Sequence, residues 1–256
     1  MVSKFLNRIF KRSDGDGSSS ALGLLKRPVS TKWGADRGTP VDLYYIDKFM
    51  EEHMDCITGR VLEIKNRKYT ERFGTGVSDS DVLDIDPNNP EANVIADLGD
   101  AYHIPSGVYD CFILTETLQY IYHYREAIYH CHRLLKPGGC LLLTVPTFSP
   151  VDGELADLEQ WRFTENSCRK FLEDEFIGGS VDIRSHGNYY SCMAFLAGLS
   201  IEDLRVSELN SHSPSFVMGV CAKVVKATET SIREKEVSGG APDGIRGDHR
   251  GALITC

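Results

Sequence analysis

The chain has 256 residues, 41% of them hydrophobic and 25% charged, which suits a globular protein burying a core in one large domain or two small ones. A formal charge of −9 argues against the broad basic face that nucleic acid requires, so no nucleic-acid partner is expected. No run of eighteen apolar residues and no secretory leader is present, which leads to the expectation of a cytoplasmic protein. The cysteines, at 56, 111, 131, 140, 168, 192, 221 and 256, form no CxxC pair and read as small core residues of a reduced compartment. No metal site is expected.

Residues 1–12 place Phe5, Leu6, Ile9 and Phe10 on one helical face, with Lys4, Arg8, Lys11 and Arg12 mostly on the other. This tip is a candidate for weak contact with an anionic membrane surface, which would make the protein peripheral to the membrane. Docking on its own domain or fraying are the alternatives for so short a helix. Ser13–Ser20 reads as a flexible linker. The expected organisation is tip and linker over 1–20, one domain over 21–226, and a tail over 227–256 that lacks periodicity and is expected to be disordered. Thr39-Pro40 predicts a helix start, Thr39 capping and Pro40 at the first helical position, with the helix running from Val41 to about Met54.

Apolar runs then alternate with helix-length segments: Arg60–Ile64, Val82–Asp86, Asn93–Asp97, Asp110–Thr115 and Cys140–Val145. Runs of this length in this alternation predict buried parallel strands in βαβ units. Val181–Ser185 and Phe216–Val225 supply two more, giving an α/β chain with a seven-stranded, mostly parallel sheet and helices on both faces. Several strands end on Glu63, Asp84 or Asp86, Asp97 and Thr115, at the carboxyl edge where an open α/β sheet holds its ligand. The turn after the first strand, Lys65-Asn66-Arg67-Lys68-Tyr69, has no glycine until Gly74, and Asn66 is the residue expected to take the left-handed position. Thr115, Glu116 and Gln119 follow the fourth strand. The next helix turns Ala127, Ile128, Cys131, Leu134 and Leu135 inward and is expected to stop at Gly138. His130 and His132 read as surface residues, and His123 as a candidate general base near the helix start. Thr147–Glu159 is a long acidic loop on the substrate edge. A helix capped by Thr164 follows Trp161-Arg162-Phe163, and Cys192–Leu199 is a further helix.

VLEIK, VLDIDPNNP, DAYHIPSGVYDCFILTETLQYI and above all AIYHCHRLLKPGGCLLLTVP resemble the strand motifs of class I S-adenosylmethionine-dependent methyltransferases of the type 11 kind, over roughly residues 33–225. WGADRGTP and WRFT resemble bacterial methyltransferases found with glycan-building enzymes. The resemblance implies a Rossmann-like domain with S-adenosyl-L-methionine as cofactor. It places Glu63, Lys65 and Asn66 at the cofactor turn and a carboxylate on the ribose hydroxyls. The family's DxSP-like pattern favours Asp84 for that carboxylate, strand-end geometry favours Asp86, and the choice stays open. It further implies Asp97 or Asp100, with Leu98, around the adenine, and Thr115, Glu116 and Gln119 facing the methionine part and the acceptor. Trp33, Arg37 and Tyr45 would belong to a lid, and Trp161 and Arg162 to the substrate side.

Methyl transfer from a sulfonium asks mainly for alignment, worth roughly 7–11 kcal/mol. A base for a hydroxyl acceptor adds about 100-fold or more, and Glu116, His123, Asp152 and His186 are the candidates. No Asn/Asp-Pro-Pro-Tyr/Phe string follows the fourth strand, which lowers nucleobase or amide methylation. The leading expectation is O-methylation of a saccharide or other small-molecule hydroxyl. The alternatives are a binding or scaffold domain that lost its cofactor through the glycine-poor turn, and a nicotinamide enzyme, against which the missing GxGxxG argues.

Overall fold

The computed structural model describes residues 27–151, 153 and 155–230. The tip at 1–12, the linker to 20, Asp152 and most of the 227–256 tail lie outside the described residues. Helix α1 (Val41–Glu52) is followed by β1 (Gly59–Ile64), α2 (Lys68–Phe73), β2 (Val77–Asp84), β3 (Val94–Ile95) and β4 (Tyr109–Thr115). Then come α3 (Tyr124–Leu134), β5 (Leu135–Pro146), α4 (Glu165–Glu175), β6 (Ser180–His186), α5 (Tyr189–Leu196) and β7 (Gly219–Val225). The seven strands form one sheet in the order β3-β2-β1-β4-β5-β7-β6. All pairs are parallel except those of β7 with β5 and β6. The strand order reverses between β1 and β4, and a crevice opens at such a point above the carboxyl ends.

Alternation along the central strands builds two cores. Leu62, Phe112, Leu114 and Leu141 pack on one face with Ile128 and Leu134 of α3 and Leu172 of α4. Val61, Ile113 and Leu142 pack on the other with Ile46, Phe49 and Met50 of α1. A third cluster joins Val41 and Tyr45 to Phe195 of α5, so α1 spans from the sheet to the later part of the chain.

Several boundaries differ from expectation. Pro40 is the N-cap of α1, not its first helical residue. Thr39 does not cap the helix, because its N–H and hydroxyl donate to the Glu202 carboxylate, both at 2.8 Å. Helix α1 stops at Glu52. Helix α3 stops at Leu134, four residues before Gly138. The carbonyls of Arg133 and Leu134 accept from Gly107 and Val108, which draws Leu135 into the sheet at once. Strand β2 ends at Asp84, β3 is only Val94–Ile95, β7 starts at Gly219, and α5 starts at Tyr189 behind an Asn188 cap. Thr164 caps α4 as expected, in a capping box with Ser167. His130 is buried, not on the surface: the Tyr102 ring lies edge-on to it at 4.5 Å and Arg133 Nε donates to its Nδ1. His132 is half-buried beside Glu175. No described helix is long and apolar enough to cross a membrane.

Candidate active site

Glu63 ends the buried part of β1, yet its carboxylate is already committed. Oε1 accepts from Tyr69 N–H at 2.9 Å, and Oε2 accepts from the N–H and hydroxyl of Thr70 at 2.8 and 2.7 Å. These donors belong to the first turn of α2, whose N–H groups have no partner within the helix. Glu63 is 1% exposed, and burial raises its pKa against the pull of those three bonds. It shapes the turn and offers no free oxygen to a ligand. The left-handed residue of the turn is Lys65, at φ 70°, and not Asn66. Lys65 N–H donates to Leu83 C=O at 2.9 Å, and its carbonyl accepts from Asn89 Nδ2 at 2.7 Å, which holds it there. Asn66 instead accepts from Lys68 N–H at 3.0 Å, a local turn bond typical of asparagine.

The same Asn89 amide donates to Asp84 Oδ2 at 2.6 Å, so Asp84 sits tied beside the Lys65 turn. Asp86 lies beyond the end of β2, exposed, accepting from the N–H and side chain of Asn88. Of the two carboxylates, Asp84 is the one next to the turn. Asp97 caps a short 3-10 turn by accepting from Gly99 N–H at 2.8 Å. The Leu98 side chain belongs to the core, at 3% exposure, and does not line the cavity described below. Asp100 is exposed, and the Thr115 carbonyl accepts from the Thr117 hydroxyl.

Above β1, β4 and β5 lies a cavity of about 270 Å³. Helix α1 contributes Asp42, Tyr45 and Ile46, and the segment before it contributes Trp33. Lys65, Glu116, Gln119 and Thr144 line its floor, and Phe148, His186 and Phe195 its far wall. Glu116 follows β4 at φ 43°, its N–H donating to Thr144 C=O and its Oε1 accepting from the Thr144 hydroxyl, both at 3.0 Å. Removal from water, then repulsion from Asp42, pushes Glu116 up to about 8. Burial pushes Asp42 up to about 6. His186, stacked on Tyr45 at 5.8 Å, is held below the ordinary histidine value by burial.

Three buried polar atoms in this lining have no hydrogen-bond partner: Asp42 Oδ1, Gln119 Oε1 and His186 Nε2. An unmet buried polar atom costs about 1–3 kcal/mol, so three around one cavity mark a place built for a guest. Backbone strain collects there too. Among the described residues the non-glycine residues at positive φ are Trp33, Lys65 and Glu116, and all three line the cavity.

Other expected site residues fall elsewhere. His123 is an exposed N-cap outside the cavity lining. Arg37 makes a two-pronged pair with Asp203 at 2.9 and 2.8 Å, so its guanidinium is occupied. Trp161 Nε1 donates to the carbonyls of Ile121 and Tyr122, and its ring packs edge-on to Tyr124, outside the cavity lining. Arg162 pairs with Glu159, which itself lines the cavity. Trp33, Tyr45, Lys65, Glu116, Gln119 and His186 are the expected residues that the fold does bring together. Asp42 was missed: an acidic residue in a first helical turn ordinarily answers the helix dipole, so nothing in its local sequence marked it out.

The lining suits the cofactor that the resemblance implies. S-adenosylmethionine carries a sulfonium and an ammonium, and the cavity presents the unmet oxygens of Asp42 and Gln119 with the Glu116 carboxylate, against one lining cation, Lys65. A model of the methyltransferase domain matches residues 31–191, more than half of the chain. Among solved structures, an S-adenosylmethionine-dependent methyltransferase from Mesorhizobium loti is similar at 13% identity and TM-score 0.51, over 73% of this chain and 100% of that one. A proposed sarcosine dimethylglycine methyltransferase from Galdieria sulphuraria is similar at 15% identity and TM-score 0.50, over 73% and 89%. These two show the shared fold. No curated protein sequence matches the chain. The chain belongs to the methyltransferase-domain family, on a sheet of class I architecture.

Proposed function

We propose that the protein moves the methyl group of S-adenosylmethionine onto a hydroxyl of a saccharide or similar small molecule, with Glu116 taking the hydroxyl proton. The observation that carries this reading is the state of Glu116, a carboxylate held near neutrality at the end of β4 inside the cavity. A general base works best when its pKa lies close to the working pH. The bound cofactor supplies a methyl carbon already activated by positive sulfur. The chain supplies everything else. Asp84, tied beside the Lys65 turn, is placed for the ribose hydroxyls, and Asp42 and Gln119 offer unmet oxygens to the positive end. Thr144 orients Glu116 by donating to Oε1, leaving Oε2 for the acceptor. Trp33, Tyr45, Phe148 and Phe195 exclude water and present flat apolar faces of the kind a sugar ring packs on. Glu116 would take the hydroxyl proton as the methyl carbon exchanges its bond to sulfur for one to the acceptor oxygen, the thioether S-adenosylhomocysteine being the leaving group. The likeness of WGADRGTP and WRFT to methyltransferases found with glycan-building enzymes supports the saccharide as acceptor.

The test has two parts. Calorimetric titration with S-adenosylhomocysteine is expected to show saturable binding, and none at millimolar ligand would sink the cofactor reading and leave a scaffold. In assays of S-adenosylhomocysteine release across a panel of saccharides, Glu116→Gln is expected to lower kcat by about 100-fold or more while binding stays within a few-fold. The wild-type kcat/KM for cofactor should rise with pH through a midpoint of about 8, a limb that the variant lacks. A variant that kept both rate and limb would remove Glu116 from the chemistry.

A further inference from the structure

Helix α4 buries Cys168, Phe171 and Leu172 and turns Lys170, Glu173 and Asp174 to solvent, the ordinary division for a helix on a sheet. Helix α5 departs from it. It buries Ser191, Cys192, Ala194 and Phe195, yet its outer stripe is Tyr189, Met193 and Leu196, spaced three and four apart and 36–59% exposed. A helix that is apolar on every side belongs in a core, against a partner or in lipid. The stripe continues at both ends. Phe216 lies edge-on to Tyr189 at 5.1 Å, and Val29 N–H donates to the Ala197 carbonyl at 2.8 Å, with both side chains exposed. None of these five residues lines the cavity.

We propose that this crest, with the cationic chain that enters beside it, seats the protein on an anionic lipid bilayer. The chain ahead of Arg27 joins the fold at the Val29 end of the crest, and Arg27 and Lys32 stand exposed there. Residues 1–32 hold seven Lys and Arg against Asp14 and Asp16, a charge of +5 in a chain whose total is −9. Positive charge is therefore gathered where the apolar crest is. On an anionic bilayer the crest enters the boundary of headgroups and acyl chains while the cations lie among the headgroups, each contact too weak to hold alone. Tyr189 brings an apolar ring with a polar tip, the kind of side chain that settles at that boundary. A protein partner fits less well. The crest is one helix wide and about 12 Å long. It exposes on the order of 400 Å², half of the roughly 800 Å² that each side of a stable protein interface gives up.

The full chain is expected to sediment with vesicles of mixed phosphatidylcholine and phosphatidylglycerol, and about 10-fold or more weakly with pure phosphatidylcholine or in high salt. Met193→Gln combined with Leu196→Gln should lower partition to the mixed vesicles by about 10-fold. Glutamine keeps the helix propensity and both sites are exposed, so the urea midpoint should stay at the wild-type value. Emission from Met193→Trp, read as the difference from wild type, should shift to the blue and be quenched by brominated acyl chains when mixed vesicles are added. Failure to bind those vesicles would overturn the proposal. So would binding that the glutamine pair leaves unchanged with Met193→Trp unquenched, which would assign the contact to the first residues alone. Blue emission before any vesicle is added would overturn it as well, because the crest would then be covered by the chain itself or by a second copy.

Discussion

The two ends of the sheet are built to opposite rules. At the amino ends, charges answer one another: Asp110 accepts from Arg60 N–H at 2.8 Å and Lys136 Nζ at 2.7 Å, while Arg60 pairs with Asp81 at 2.7 Å. At the carboxyl ends, Asp42, Gln119 and His186 each keep a buried atom unmet, and Trp33, Lys65 and Glu116 hold a backbone shape that disfavours side chains. Strands of the same composition feed both ends. The difference shows where the fold has been relaxed to its own minimum and where it has been held off that minimum for something that arrives later.

The contrast is open to attack at three places, the strongest first. Glu116 and Asp42 ionise less readily in the folded chain than in the unfolded one. A raised folded pKa stabilises below the unfolded value and loses that stabilisation as pH climbs through the folded value. The ligand-free protein should therefore lose stability from about pH 3.8 to about 8, with Asp42 acting from 3.8 to about 6 and Glu116 from 4.5 to about 8. In urea unfolding at pH 8–9, Glu116→Gln should gain on the order of 2 kcal/mol over wild type, part of the shift being discounted for solvent access. Equal stabilities across that range would mean the carboxyl edge carries no such tension. Lys65→Gly comes next. Relief of the left-handed lysine should raise the urea midpoint by about 1 kcal/mol equivalent and tighten S-adenosylhomocysteine binding. A loss of stability would show that the lysine side chain holds the turn. The smallest effect belongs to the opposite end. Lys136→Met should cost less than about 1 kcal/mol and leave binding unchanged, since its pair with Asp110 is 42% and 35% exposed. A cost of several kcal/mol would show that the amino edge is not the relaxed one.

Much of the frame was legible because it rests on apolar runs. The strands that became β1, β4 and β5 follow directly from VLEI, CFILT and CLLLTV, whereas their order in the sheet is set by contacts between distant segments. The site was legible where it hangs from strand ends, as with Lys65 and Glu116, while the sequence left Asp84 and Asp86 equally open for the ribose. It was not legible where a side chain's partner comes from far along the chain. Residue preference pointed to Asn66 for the left-handed position, but bonds to Leu83 and Asn89 fix Lys65 there instead. Glu63 looked like a ligand and is a helix cap. Arg37 looked free until Asp203, and His130 looked exposed until Tyr102 folded over it. Asp42 needed α1 to be laid across the crevice before its isolation could show.

The tethers between the segment ahead of α1 and the one behind α5 have a mechanical consequence. Thr39 and Arg37 grip Glu202 and Asp203, Pro40 bridges to Ser200, and Val29 N–H donates to the Ala197 carbonyl. Two stretches separated by more than a hundred and fifty residues are thus tied together beside Trp33, which lines the cavity. Cutting one of those ties would loosen both stretches, so the wall that Trp33 forms depends on chain outside the matched 31–191 region.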